Sequence, residues 1–547
     1  MTTGINETRV FGPPGTGKTT YTSKCITEAA EKFGSENILV ASFTKAAAKE
    51  LVSRGQSISN NQIGTLHAQC FRMLGSPKIA EANVKDFNNE YPHFALSGGS
   101  ETDIDDGLAS NVDNQDASSG GNELMARANI YRARMIPKDL WIPNVLDFYR
   151  HWSKYKHEEN LMDFQDLIET AIEYKYPPNN ATIGIFDEVQ DFTPSQLKLI
   201  RKWAEQMHWI LMAGDDDQTL YSFTGATPNA FLNPPVGEEH KRVLRQSYRV
   251  PTKVLNMANA IIKKVSIREP KEYKPRDHDG KIFSSPATWK KPNEIIKVID
   301  GYMRQGKRVM VLATCSYMLS PIIMQLRDAG IPFSNIYKAN RGDWNPIKKS
   351  GGEKSTAYSR LIAYMQPEGP EFKGTRLWTA KQIERWVDPM KVEGNFTKGA
   401  KKILKEMCKT KEVSAEVLLG AMLQAFTEEA FDKAFEYDLG WFLSQITPAK
   451  QKSFEFPARV FKQYGEDGPE MAQFCTIGTI HSVKGAEADV VVLFPDISLR
   501  GAQSYSQRSG EQFDQILRQF YVGVTRTRDI LIICQGITPG MFFDDFR

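Results

Sequence analysis

Within Phe11–Thr20, reading FGPPGTGKTT, the spacing G-x-x-x-x-G-K-[ST] is met by Gly12, Gly17, Lys18 and Thr19. Glycines at those places let backbone N–H groups turn inward around a phosphate, a lysine reaches the outer phosphates, and a threonine hydroxyl can ligate Mg²⁺. The stretch Gly12, Pro13, Pro14, Gly15, Thr16, Gly17, Lys18, Thr19 and Thr20 is therefore a candidate anion cradle. The helical-looking TYTSKCITEAAEKF behind it adds the positive end of a helix dipole. Taken alone, the pattern also suits an ordinary Gly-Pro turn before a helix. Far downstream, the apolar run Ala181–Phe186 ends in Asp187 and Glu188. Behind a phosphate-binding loop, the first acid would hold Mg²⁺ and the second would polarise an attacking water; the alternative is that both cap the helix starting near Pro194. The next apolar run, Trp209–Ala213, ends in Asp215, Asp216, Asp217 and Gln218, a second acidic strand end beside the same pocket.

These residues need strands that end together. Asn37–Phe43 has the short apolar run of a buried parallel strand and is followed by the alanine-rich helical pattern TKAAAKELVSR; Gln62–Leu74 repeats the form. Such alternation predicts a doubly wound parallel sheet that carries its ligand at the strand C-termini. Leu96–Glu123 is rich in Gly, Ser, Asp and Asn and reads as a disordered or long surface loop. Leu124–Tyr174 returns to helical spacing with Trp141, Phe148, Tyr149, Trp152 and Tyr155 as anchors, so a helical insertion is expected. A second core begins near Val250, with a strand at Arg308–Thr314 and a helix at Tyr317–Ala329. Its own insertion carries two basic clusters, Lys348, Lys349 and Lys354, then Lys398, Lys401, Lys402 and Lys405, that suit either a solvated face or nucleic-acid contact. The core closes with ADVVVLF and ILIIC. One internal echo joins the halves: Gly64-Thr65-Leu66-His67 and Gly478-Thr479-Ile480-His481 share a G-T-[LI]-H core near a strand end. Two such copies would offer a polynucleotide two matching handholds.

Composition excludes more than it selects. A net charge of +3 on 547 residues leaves any nucleic-acid surface to local concentrations of charge. The six cysteines form no C-x-x-C pair, which argues against a zinc site and a disulfide framework. No apolar run approaches the roughly 18 residues of a membrane span, so no membrane partner and a cytoplasmic location are expected.

GPPGTGKT, SFTKAAAKEL, GTLH, DEVQD and GDDDQTLYSFTGA, in that order, resemble motifs I to III of the UvrD/Rep/PcrA-like superfamily 1 (SF1A) DNA helicases. QSYR (246–249), TIGTIHSVKGAEADVVVLF (476–494) and FYVGVTRTRD (520–529) resemble motifs IV, V and VI. The resemblance implies an α/β fold of two tandem RecA-like P-loop domains, parallel sheets flanked by helices, each with a mainly helical inserted subdomain. The first RecA-like domain would span 1–75 and 160–245, with a helical insertion at 76–159 and its loop near 97–122. The second would span 246–337 and 472–547, with an insertion at 338–471. ATP and Mg²⁺ are the implied cofactors. Single-stranded DNA and single-strand/duplex junctions are the implied partners, alongside repair, replication or defence proteins. The implied activity is ATP-dependent 3′–5′ translocation coupled to unwinding. The alternative is a translocase that strips proteins from DNA, or serves as the motor of a larger complex, with little unwinding alone. A non-catalytic nucleic-acid-binding scaffold and an RNA helicase are further readings.

By resemblance, Lys18 and Thr19 hold phosphates and metal, Asp187 completes the Mg²⁺ shell and Glu188 is the general base. Gln218 senses the γ-phosphate or positions the attacking water, and Arg249 and Arg526 are arginine fingers, the alternative being core-edge ion pairs. Tyr248 stacks on adenine and Glu487 meets the ribose. Phe43, Thr44, Thr65, His67, Tyr221, Phe223, Thr479 and His481 fall where the family contacts single-stranded DNA. Aromatic rings there stack on any base, while hydroxyl and imidazole groups bond phosphate. Two features depart from the family. No glutamine precedes Gln56, where relatives carry one upstream of the loop to read the adenine edge, and Leu66 and Phe223 stand in place of phenylalanine and tryptophan.

Overall fold

A computed structural model of the protein describes residues 6–44, 47–48, 51, 58–98, 120–174, 176–335, 342, 344–347, 355–372, 374–409 and 413–538. The chain divides into two compact units. The first takes the described residues up to Ile282 and returns for Ile497–Asp529; the second takes Phe283–Asp496 and the segment from Ile530 onward.

The first unit is built on a six-stranded sheet: β1 Glu7–Phe11, β2 Ile38–Ser42, β3 Ile63–Gly64, β4 Ile183–Asp187, β5 Trp209–Gly214 and β6 Lys241–Val243. The order is β3-β2-β4-β5-β1-β6, and every neighbouring pair is parallel. β2 and β4 are buried along their whole length, as near-continuous apolar runs require when helices cover both faces. Phe11 lies opposite Gly214 and Ser42 opposite Asp187. The residues after β1, β4 and β5 therefore leave the sheet at one edge, which is where the expected phosphate chemistry sits.

The stretch before the phosphate loop reads in sequence as a short polar lead, yet it is β1, an interior strand between β5 and β6. Its polarity is internally matched. Arg9 Nε donates to Glu7 Oε1 at 2.6 Å, and the two other guanidinium nitrogens donate to the carbonyls of Leu232 and Pro234 at 2.8 and 2.6 Å. A buried ion pair with its remaining donors satisfied can occupy an interior strand that alternation alone would not reveal.

Most of the expected elements are found within a residue or two. Gln62–Leu74 gives only the two-residue β3 before the helix Leu66–Met73, with the Thr65 hydroxyl capping that helix through Ala68 N at 3.2 Å. Of the glycine- and serine-rich stretch, residues 99–119 lie outside the described residues; from Gly120 the chain is already in the helix Gly120–Ala133. That helix and Pro143–Glu158 enclose an aromatic core in which Phe148 and Trp152 are fully buried and Phe87 meets the Trp152 ring edge-on at 5.0 Å. Arg132 secures the insertion to the helix Phe164–Glu173 through Asp163, Asp166 and Glu169.

The second unit carries most of β7 Lys281–Ser285, β8 Val309–Ala313, the short antiparallel pair β9 Glu371–Phe372 and β10 Thr375–Arg376, then β11 Cys475–Thr479, β12 Ala488–Leu493 and the larger part of β13 Thr527–Cys534. Its main sheet runs β11-β8-β12-β13-β7, with β8 parallel to both β11 and β12. The helical insertion here has its own core around Tyr364, Trp378, Trp386 and Phe442. The basic cluster is partly structural: Lys405, Lys450 and Arg360 converge on Asp388 at 2.5, 3.0 and 2.8 Å, and Lys401 donates to the carbonyls of Asp388 and Met390. Lys398 and Lys402 stay exposed, whereas Lys348, Lys349 and Lys354 lie outside the described residues. Among the described residues, no helix is long and apolar enough to cross a membrane.

Candidate nucleotide and nucleic-acid site

The phosphate loop is tied to the sheet by Gly12 N donating to Gly214 O at 2.9 Å, and it closes on itself through Thr16, whose hydroxyl donates to Pro13 O at 2.7 Å. Gly17 takes the left-handed conformation that starts the helix Lys18–Phe33, with φ 77°. Gly15, at φ 73°, meets a closer constraint: a Cβ there would lie 2.4 Å from Arg249 Cβ and 2.9 Å from Ser247 Oγ. The QSYR segment thus packs directly on the loop. Ser247 Oγ donates to Pro14 O at 2.8 Å, and Tyr248 N donates to Gly15 O at 2.8 Å. The Tyr248 ring itself is 67% exposed beside Gly17, free to accept a flat partner.

Lys18 crosses the face of Gly12 and brings its Nζ to Asp187 Oδ1 at 2.8 Å and Glu188 Oε1 at 2.6 Å. Burial opposes its charge, but the two carboxylates outweigh that and hold the ammonium above the ordinary lysine value. Burial also pushes the Asp187 carboxyl up, and the Lys18 charge offsets part of that rise. Glu188 sits at φ 55°, a left-handed backbone uncommon outside glycine. Gln190 then links two strand ends: its Nε2 donates to Glu188 Oε2 at 2.5 Å while its Oε1 accepts from Asp215 N at 2.9 Å.

Asp215, Asp216 and Asp217 are essentially fully buried, and their placement beside the pocket is structural as well as chemical. Lys271 Nζ reaches all three at 3.2, 2.5 and 3.1 Å, and Arg268 grips Asp217 with two bonds of 2.8 and 2.6 Å. Burial pushes Asp216 up to about 6 and raises Asp215 as well. It would raise Asp217 too, but Lys271 and Arg268 hold that carboxyl below the ordinary range. Lys271 is thus the counter-charge for a buried triad. Lys271→Met is expected to destabilise the fold by about 3–5 kcal/mol, because it leaves buried carboxylates uncompensated; urea unfolding at neutral pH measures this, and an unchanged midpoint would contradict it.

Gln218 sits where these networks meet. Its Nε2 donates to Asp215 Oδ2 at 2.7 Å, and its Oε1 accepts from Arg526 at 3.0 Å. Arg526, 1% exposed, follows the helix Glu511–Val524 and is steadied by a 3.0 Å bond from Nε to Val522 O. Lys18, Asp187, Glu188, Gln218, Arg249 and Arg526 thus lie in one compact unit, although Lys18 and Arg526 are hundreds of residues apart in sequence.

Phe43, Tyr221 and Phe223 form a continuous aromatic run, with ring centroids 4.7 Å apart for the first pair and 5.8 Å for the second. Phe223 is 39% exposed. Thr65 and His67 line a small pocket beside Phe43, and His67 is buried with Nε2 unpaired. Burial pushes its imidazole down to about 4, so at neutral pH it offers a neutral hydrogen bond rather than a charge. Thr44 faces its own helix start, accepting from Ala47 N at 3.2 Å. Thr479, His481 and Glu487 belong to the second unit, at the end of β11 and just before β12. The echo is structural: Thr479 Oγ1 accepts from Ser482 N at 3.2 Å, the same three-residue cap that Thr65 makes with Ala68.

The residues suit a Mg²⁺-bound nucleoside triphosphate. A glycine cradle that a Cβ would fill, a threonine at the first helical turn and a buried aspartate beside a lysine supply what hard-cation and phosphate chemistry needs. Sequence reasoning gave no role to Gln190, Ser247, Arg268 or Lys271. The first two stand inside quoted motifs; Lys271, 55 residues from Asp216, carries no local signal.

Fold and site together have the form of a P-loop protein, with Arg249 packed on the loop and Arg526 bonded to Gln218 at the end of a neighbouring strand. Residues 2–235 match the UvrD/REP helicase N-terminal domain. The chain is 25% identical over 365 residues to a probable DNA helicase II homolog of Mycoplasma capricolum, covering 60% of this chain and 49% of that one. It is 27% identical over 305 residues to the ATP-dependent DNA helicase PcrA of Staphylococcus aureus, and 26% identical to that of Staphylococcus epidermidis, covering 51% of this chain and 41% of each relative. The chain therefore spans about half the length of the curated relatives it matches.

Proposed function

We propose that the protein is an ATP-driven motor on single-stranded DNA that moves 3′ to 5′ and unwinds duplex at junctions. One observation carries the reading: the loop after β5 bears Gln218, bonded to Asp215 and Arg526, and, within five residues, Tyr221 and Phe223 on the aromatic run. A group that senses hydrolysis and a platform that stacks bases are then parts of one short segment. In this reading Lys18 binds the outer phosphates and Glu188 takes the proton of the attacking water. Gln218, Arg249 and Arg526 respond to the γ-phosphate. Mg²⁺, held by Thr19 and Asp187, supplies charge neutralisation. Tyr248 stacks on adenine and Glu487 meets the ribose. Phe43, Thr44, Thr65 and His67 share the strand with Tyr221, Phe223, Thr479 and His481. The two capped G-T-[LI]-H turns act as alternating grips of two RecA-like domains. Repair, replication or defence assemblies are the setting.

Strand displacement on duplexes with 3′ or 5′ tails, run beside streptavidin displacement and with all four nucleoside triphosphates, tests the proposal. Unwinding from the 3′ tail with ATP is expected. Streptavidin displacement without unwinding would make the protein a translocase that clears DNA, and activity from the 5′ tail alone would overturn the polarity.

A further inference from the structure

Arg134 stands just beyond the helix Gly120–Ala133 of the helical insertion and joins two segments remote from it in sequence. Its Nε donates to Gly225 O at 3.3 Å, 91 residues away. Its terminal nitrogens donate to both carboxylate oxygens of Glu511, 377 residues away, one of them at 3.2 Å. Gly225 ends the turn that carries Phe223, in a left-handed conformation with φ 103°, and a Cβ there would come within 3.0 Å of Ala133 Cβ. The insertion helix and the aromatic loop are therefore in direct contact at a place where only glycine fits. Glu511 opens the helix Glu511–Val524, whose far end delivers Arg526 to Gln218. A single guanidinium thus spans the aromatic loop and the helix that aims the arginine. An ion pair with side chains 27% and 45% exposed contributes little to stability, so its value lies in geometry.

We propose that Arg134 is a positioning residue that couples occupancy of the Phe223 loop to the setting of Arg526. Movement of the loop by a stacked base shifts the Gly225 carbonyl, Arg134 follows, and the Glu511 end of the helix follows Arg134. The relay rests on the reading of the protein as a DNA-stimulated ATPase. It requires the full fork, since lysine cannot hold one carbonyl and two carboxylate oxygens together.

The test is phosphate release without DNA and with saturating single-stranded oligothymidine, with DNA affinity from fluorescence anisotropy, for wild type, Arg134→Ala, Arg134→Lys and Glu511→Gln. The expected result is a fall of about tenfold in the ratio of DNA-stimulated to DNA-free rate, with DNA affinity held within about twofold. Lysine should fail to restore the ratio. A wild-type ratio in Arg134→Ala overturns the relay, as does an equal fall in both rates, which marks a structural role. If Arg134→Ala does not fold, Glu511→Gln at its exposed site decides by the same criteria. Absence of DNA stimulation in the wild type overturns the functional reading itself, and the relay with it; stimulation that survives every substitution overturns the relay alone.

Discussion

Arg526→Ala is expected to lower kcat for ATP hydrolysis by about 10³–10⁵, the range over which an arginine finger acts, with a much smaller change in KM. The guanidinium is buried, anchored to Val522 O and bonded to Gln218 Oε1, so its position is fixed before any phosphate charge develops. Charge placed in advance in a water-poor site is worth far more than the same charge in solvent. Arg526→Lys separates charge from geometry: it keeps one positive group but loses the fork that holds Val522 and Gln218 together. A rate near wild type in the lysine variant would show that charge alone suffices, and a rate near wild type in the alanine variant would remove Arg526 from the mechanism.

Glu188→Gln is expected to lower kcat by about 10²–10⁴ through loss of the general base, with ATP binding retained. The substitution is nearly isosteric. The left-handed backbone at Glu188 does not depend on the side-chain charge, and the amide oxygen of the variant can accept from Gln190 or from Lys18, though not from both as the carboxylate does. Lys18 keeps Asp187 as partner at 2.8 Å, so the phosphate loop is not left with an unpaired lysine. Tight binding of a fluorescent ATP analogue together with lost turnover is the predicted pair of results. Undiminished hydrolysis would assign the base elsewhere.

Glu188 is legible in the sequence because phosphate chemistry demands particular types at short spacing, a glycine loop with lysine and acids at strand ends; Arg526 is legible only through the resemblance of its segment to motif VI. Strands with apolar runs, such as β2, β4, β8 and β12, were legible for a similar reason, since burial on both faces leaves no polar positions. β1 was not, because Glu7 and Arg9 form a buried pair inside the sheet. Partners that act across the chain left no mark either. Lys271 neutralises three aspartates from 54 to 56 positions away, and Arg134 meets Glu511 across 377. For Lys401 and Lys405, sequence offered solvent or nucleic acid; Asp388 and two carbonyls supply a third answer that no local pattern encodes.

The central claim is that nucleotide turnover in this protein is coupled to single-stranded DNA. The most direct measurement is the steady-state rate of phosphate release from Mg²⁺-ATP with and without saturating single-stranded DNA. The rate is expected to rise strongly with DNA and to disappear in Lys18→Ala under both conditions. Turnover that is the same with and without DNA would contradict it.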